Sequence, residues 1–183
     1  MAQFIPFDEN VEVSGGVVLS ITKSTDEIFE GMMLEILKLF GIEDVQEDKW
    51  YPQKNLLQAL KYISEEIGPN TLFAIGKGIT INAKFPEEIQ NLEQALRSID
   101  VAYHMNHRGG EIGYYKLVEY DTKNRYAVME CYNPYPHHFD RGIITAMARR
   151  FAPDDSTMVE VTADDSRPTR LEGADKDWFI IKW

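Results

Sequence analysis

Apolar residues recur at helical spacing through the first three-fifths of the chain and at strand spacing through much of the rest. Ser24 opens the first clear helix, with Ser24 and Glu27 at capping-box spacing. Ile28, Phe29, Met32, Met33, Ile36, Leu37 and Phe40 form its apolar stripe, and Gly41 ends it in the usual place for a left-handed cap. A second helix begins at Pro52, which suits a first turn because its missing N–H has no helical partner there. Leu56, Leu57, Leu60, Ile63 and Ile67 make its buried face, and Gly68-Pro69 stops it. Residues Asn70 to Asn82 fit a helix through Leu72, Ile75 and Ile79, with a strand as the rival, because Gly76 and Gly78 each cost a helix about 1 kcal/mol. If helical, these glycines admit the backbone of a neighbour or a ligand. After the Phe85-Pro86 break, Ile89, Leu92, Leu96, Ile99 and Tyr103 predict a helix from Glu87 to His107, ended by Gly109-Gly110.

The remainder has another rhythm. Ile112 to Tyr120 and Arg125 to Asn133 read as a hairpin turning through Asp121 to Asn124. Phe139, Ile143, Met147 and Phe151 predict a fifth helix, and Met158 to Thr162 and Trp178 to Trp183 predict two more strands. Val11 to Lys23, β-branched and interrupted by Gly15-Gly16, reads as a short strand or an extended arm. The expected fold is α+β: about five helices on a small twisted antiparallel sheet of about four strands. Residues 1–183 are expected to form one domain: an arm over 1–23, a helical part over 24–107, and a strand-rich part over 111–183.

Composition narrows the partners. The net charge of -11 disfavours nucleic acid, whose phosphates need clustered Lys and Arg, and disfavours an anionic membrane surface. No apolar run approaches the roughly 20 residues that cross a bilayer, so no membrane insertion is expected. The first residues lack the basic-then-apolar order of a secretory signal, and a single cysteine suits a reducing compartment, so a cytoplasmic location is expected.

Candidate chemistry is sparse. His104 and His107 lie one helical turn apart, with Glu111 beyond and the His137-His138 pair further on. Zinc needs three or four donors converging at about 2.0 to 2.3 Å. The competing explanation for the first pair is polar trim at a helix C-terminus, which favours His. Cys131 on a strand reads as a buried thiol, since a nucleophile needs a base and an electropositive setting. Gly76-Lys77-Gly78 lacks full phosphate-loop spacing, and no serine elbow occurs. Tyr114, Tyr115, Tyr126, Tyr132, Met129 and Met147 fall on the sheet or the helix over it, where they serve as core or line a pocket for a flat, apolar ligand.

The run IDVAYHMNHRGGEIG (Ile99 to Gly113), then Asn133-Pro134-Tyr135-Pro136 and Phe139 to Ile144, resembles a bacterial branch related to the 4-vinyl-reductase-type small-molecule-binding domain. That domain belongs with haem-NO-binding proteins and TRAPP-type subunits. The resemblance spans roughly Trp50 to Trp183. It implies helices against a twisted antiparallel sheet, a cavity for a small hydrophobic molecule, and a homodimer. Related domains often carry a cysteine pair in the last loop and strand. Thr169 and Asp177 stand there in this chain, which weakens any metal role carried over from the family.

The expected function is therefore a non-catalytic small-molecule-binding or sensor domain for a hydrophobic or aromatic ligand, with Tyr103, His107, Tyr114, Tyr132 and His138 near the site. No catalytic residue, metal ligand or cofactor is specified. The alternatives are a metal-assisted hydrolase or tetrapyrrole-related reductase using His104, His107 and the 137–138 pair, and a structural assembly module of TRAPP type.

Overall fold

A computed structural model describes residues 3–23, 27–82 and 88–183. Ser24 of the expected capping box, the Phe85-Pro86 break and the Glu87 helix start lie outside these residues.

The chain opens with a short strand, β1 (Glu12–Ser14), and a helix, α1 (Gly15–Thr22), where a strand or arm was expected. Ser14 is extended and its hydroxyl accepts from the Val17 N–H, which starts the helix. Gly15 is required by a close approach: a Cβ there would stand 1.8 Å from the Gln46 carbonyl oxygen. The following valines bury one helical face, Val18 and Ile21, against the rest of the molecule, and this burial overrides their strand preference.

Helices α2 (Glu27–Leu39) and α3 (Gln53–Glu66) flank a loop and a three-residue strand, β2 (Trp50–Pro52). Residues Pro69–Asn82 form helix α4. Its glycine is explained by α6 (His137–Phe151), the helix that follows the proline turn. A Cβ at Gly76 would lie 2.2 Å from the Phe139 carbonyl oxygen, and one at Gly142 2.4 Å from that of Phe73. The two backbones touch, and only hydrogen fits between them. Helix α5 (Leu92–Met105) begins at Asn91, whose side chain accepts the Gln94 N–H at 2.9 Å.

Strands β4 (Tyr114–Asp121), β5 (Tyr126–Tyr132), β6 (Glu160–Ala163) and β7 (Asp177–Lys182) form an antiparallel sheet in the order β4-β5-β7-β6. Its inner face carries Tyr115, Leu117, Ala127, Met129, Cys131, Phe179 and Ile181, all buried. A second sheet, β2-β1-β3, includes the two-residue strand β3 (His107–Arg108). The expected single sheet is thus two, and the expected five helices are six among the described residues. The added elements are two, three and eight residues long, too short for periodicity to separate from loop.

Candidate functional site

Helices α1, α4, α5 and α6 and strand β4 surround a cavity of about 130 Å³. Its wall is built from Val17, Ile79, Thr80, Ser98, Ile99, Ala102, Tyr103, Asn106, His107, Tyr115, Tyr135, Phe139, Ile143 and Met147. Ala102 is exposed, so the cavity opens to solvent beside α5.

The deep wall is aromatic. Tyr103 stands edge-on to Tyr115 (5.2 Å between centroids) and to Tyr135 (6.1 Å), and Tyr135 stacks on Phe139 at 5.2 Å. The Tyr103 hydroxyl donates to the Ile112 carbonyl at 2.5 Å. Burial raises the pKa of Tyr103, Tyr115 and Tyr135, so all three stay protonated.

His107 is held at both ring nitrogens: Nδ1 lies 2.8 Å from the Tyr103 carbonyl and Nε2 2.7 Å from the Tyr135 hydroxyl. Burial lowers its pKa to about 4, so the ring is neutral at pH 7. A carbonyl only accepts, so Nδ1 bears the hydrogen and Nε2 accepts from Tyr135.

Behind Tyr115 and Tyr135 lies a buried ionic knot. Arg170, in a short 3-10 turn (Arg170–Glu172), is fully buried. Its guanidinium donates to Asp140 at 2.5 Å, to Asp177 at 2.6 Å, and to the carbonyls of Asn133 and Tyr135, each at 2.6 Å. The Tyr115 hydroxyl donates to Asp140 at 2.6 Å, tying the cavity wall to the knot. Burial pushes the Asp140 carboxyl up against the pull of Arg170. Asp177 and Thr169, at the positions where the resemblance places a cysteine pair, serve this turn instead. Asp177 holds Arg170, and Thr169 caps the turn with Glu172.

Gln53 contrasts with Arg170. It is fully buried, and neither atom of its amide has a hydrogen-bond partner. The amide lies beside the hydroxyls of Tyr103 and Tyr135 and eases their ionisation, without bonding geometry to either.

Of the residues expected at the site, Tyr103 and His107 line the cavity together. Tyr114 and Tyr132 face each other across β4 and β5 on the opposite side of the sheet, where Lys176 donates to Tyr114 at 2.8 Å. His138 stands in the first turn of α6, off the cavity wall and edge-on to His137. Tyr115 and Met147, read from the sequence as core or pocket lining, belong to the wall, and so do Tyr135 and Phe139, which were not read as pocket residues. The signals were present. Strand alternation sets Tyr115 on the opposite side from Tyr114, and Phe139, Ile143 and Met147 share one face of their helix. Among the described residues, which include all four histidines, no three His, Cys, Asp or Glu side chains gather as a metal site. Cys131 is fully buried, and burial pushes its thiol pKa up.

No family model matches the chain, and no curated protein matches it. Solved structures do. A haem protein studied for porphyrin distortion shares 16% identity at a TM-score of 0.64, over 93% of this chain and 99% of that one. A point mutant of T. tengcongensis H-NOX gives 17%, 0.65, 92% and 96%. An oxygen-binding H-NOX domain related to soluble guanylate cyclases, in its oxygen complex, gives 15%, 0.62, 92% and 94%. The chain has the H-NOX fold. This likeness reaches through the N-terminal helices as well as the Trp50 to Trp183 stretch.

The residues present do not fit a haem. The cavity is well below the roughly 300 to 1,000 Å³ of ordinary cofactor-sized sites. No Lys or Arg lines it to meet a carboxylate, and Arg170 behind it is committed to Asp140 and Asp177. Both nitrogens of His107 are engaged.

Proposed function

We propose that this chain is a ligand-binding sensor or carrier domain, without catalytic machinery of its own, that holds a small and mostly apolar molecule in the cavity between α5 and α6. The observation that carries the reading is the cavity itself. It is an open-mouthed, ring-lined hollow with one neutral polar pair, His107 and Tyr135, fixed at its wall. Apolar walls with a few placed polar groups are what small-molecule sites share. The H-NOX fold and the sequence resemblance to 4-vinyl-reductase-type domains both support it. The residues assigned to the site are Tyr103 and His107, joined by Tyr115, Tyr135 and Phe139. The same reading carries a single-domain, cytoplasmic homodimer, as the sequence resemblance and composition suggest.

Native mass spectrometry of the freshly purified protein, beside a denatured sample, tests this reading. A mass excess present only in the native state, and absent in Ala102→Trp, is the expected result. Ala102 sits at the exposed mouth, so an indole there closes the cavity without disturbing the core. An excess that survives Ala102→Trp would place the molecule elsewhere and remove the assignment. The same spectra count the protomers.

A further inference from the structure

The hydrogen-bonding capacity of the cavity wall is one-sided. Every hydroxyl hydrogen on it is already donated inside the protein. Ser98 gives its hydrogen to the Ala95 carbonyl at 2.8 Å and Thr80 to the Lys77 carbonyl at 2.8 Å. Tyr103 gives its hydrogen to Ile112, Tyr115 to Asp140, and Tyr135 to His107. The imidazole hydrogen on His107 Nδ1 points at the Tyr103 carbonyl. What these groups still offer is lone pairs. The Tyr135 phenolic oxygen accepts no hydrogen bond at strict geometry and keeps a lone pair, with the Gln53 amide close beside it. The half-buried amide of Asn106, which donates to the Ala102 carbonyl and accepts from Ser14, is the one lining side chain with a hydrogen beyond these bonds.

Size and charge complete the description. An apolar cavity of about 150 Å³ holds one benzene ring, and this one measures about 130 Å³. Its walls present ring faces and edges from Tyr103, Tyr115, Tyr135 and Phe139, the arrangement that receives another ring best. A carboxylate or phosphate would be stripped of water with no lining cation to receive it.

We propose that the cavity selects a neutral, single-ring molecule bearing one hydrogen-bond donor, a phenol in the simplest case, which donates to the Tyr135 oxygen while that hydroxyl donates to His107. This rests on the ligand-binding reading above and narrows it. The polar group of the ligand completes a one-way chain: ligand O–H to Tyr135 Oη, Tyr135 O–H to His107 Nε2, and His107 Nδ1–H to the Tyr103 carbonyl. An ether or ketone of the same size would turn its lone pairs toward those of Tyr135, with only the Asn106 amide at the wall able to donate to it.

The test is calorimetric titration of the full chain with benzene, anisole, phenol, benzoate and hemin at pH 7, repeated with Tyr135→Phe and Ala102→Trp. Phenol is expected to bind about tenfold tighter than anisole or benzene, the worth of one hydrogen bond. Benzoate is expected to bind at least tenfold more weakly than phenol, and hemin to give no stoichiometric complex. Tyr135→Phe should erase the preference for phenol over anisole. Should that variant fail to fold, the phenol-to-anisole ratio on the unaltered protein decides alone. Equal binding of benzene, anisole and phenol would keep a ligand cavity and overturn the donor requirement. Tighter benzoate, or a one-to-one hemin complex, would overturn the neutral-ring assignment. Binding of none of the five, or binding unchanged in Ala102→Trp, would defeat the cavity reading together with this one.

Discussion

Arg170 and Gln53 are both fully buried polar side chains, and both lie against Tyr135, yet the fold treats them in opposite ways. Arg170 meets two carboxylates and two carbonyls at 2.5 to 2.6 Å. Gln53 meets nothing at bonding geometry. The first region is a closed polar knot that ties the last turn, β7, α6 and the end of β5 to one point. The second lies beside the Tyr103 and Tyr135 hydroxyls, behind the cavity wall, and there a polar group stays unmatched. Tyr135 belongs to both: its carbonyl serves the knot and its hydroxyl serves the hollow. A fold that satisfies a buried guanidinium so fully has the means to satisfy an amide. The unmatched amide is therefore a cost to stability on the Tyr103 and Tyr135 side that the knot does not carry.

The largest effect that would break this contrast is at Arg170. Arg170→Met leaves Asp140 and Asp177 buried without their cation, and urea unfolding should show a loss of about 3 to 5 kcal/mol. A loss under about 1 kcal/mol would mean the knot is no more committed than the hollow. Acid is the next lever. The fold keeps His107 neutral down to about pH 4, whereas the unfolded chain takes up that proton near 6.5. Between these values the unfolded state binds more protons, so stability falls as pH drops from about 6.5 to 4 and is complete above that window. The drop owed to His107 should approach about 3 kcal/mol. His107→Gln should remove it, seen as a shallower fall in denaturation midpoint with pH than in the unaltered chain. An unchanged slope would show that His107 does not carry the titration. The smallest effect has the opposite sign. Gln53→Leu removes an unmatched amide and should stabilise the ligand-free protein by about 1 to 2 kcal/mol. Destabilisation by the same amount would show that Gln53 is matched in solution, and the contrast with Arg170 would close.

Much of the fold was legible where a pattern ran for ten residues or more. The stripes of α3 and α6 and the hairpin of β4 and β5 reflect burial on one face, which leaves a period in the sequence. Helix α1 was hidden because Gly-Gly-Val-Val reads as a broken strand until the loop at Gln46 presses on Gly15. The site was half legible for a related reason. Tyr114 and Tyr115 are adjacent, and alternation says that they point apart without saying which points inward. That is settled by α5 and α6 packing on the Tyr115 face. No sequence pattern singled out Arg170. Its partners lie 7 and 30 residues away, and only the closed fold brings them together.

The two-residue strand β3 has a consequence for how such a pocket changes its diet. Val13 pairs with His107 and Glu12 with Arg108, so the side-chain identities at the cavity are set by register with β1. His107 turns inward, while Arg108 turns out, stacks on Trp50 and bonds to Glu12. Deleting one residue at the Asn106 corner would slide this strand by one place and offer a guanidinium where an imidazole now stands. A single codon loss, with no substitution in the wall, would thus bring a fixed positive charge to a cavity whose lining now holds none.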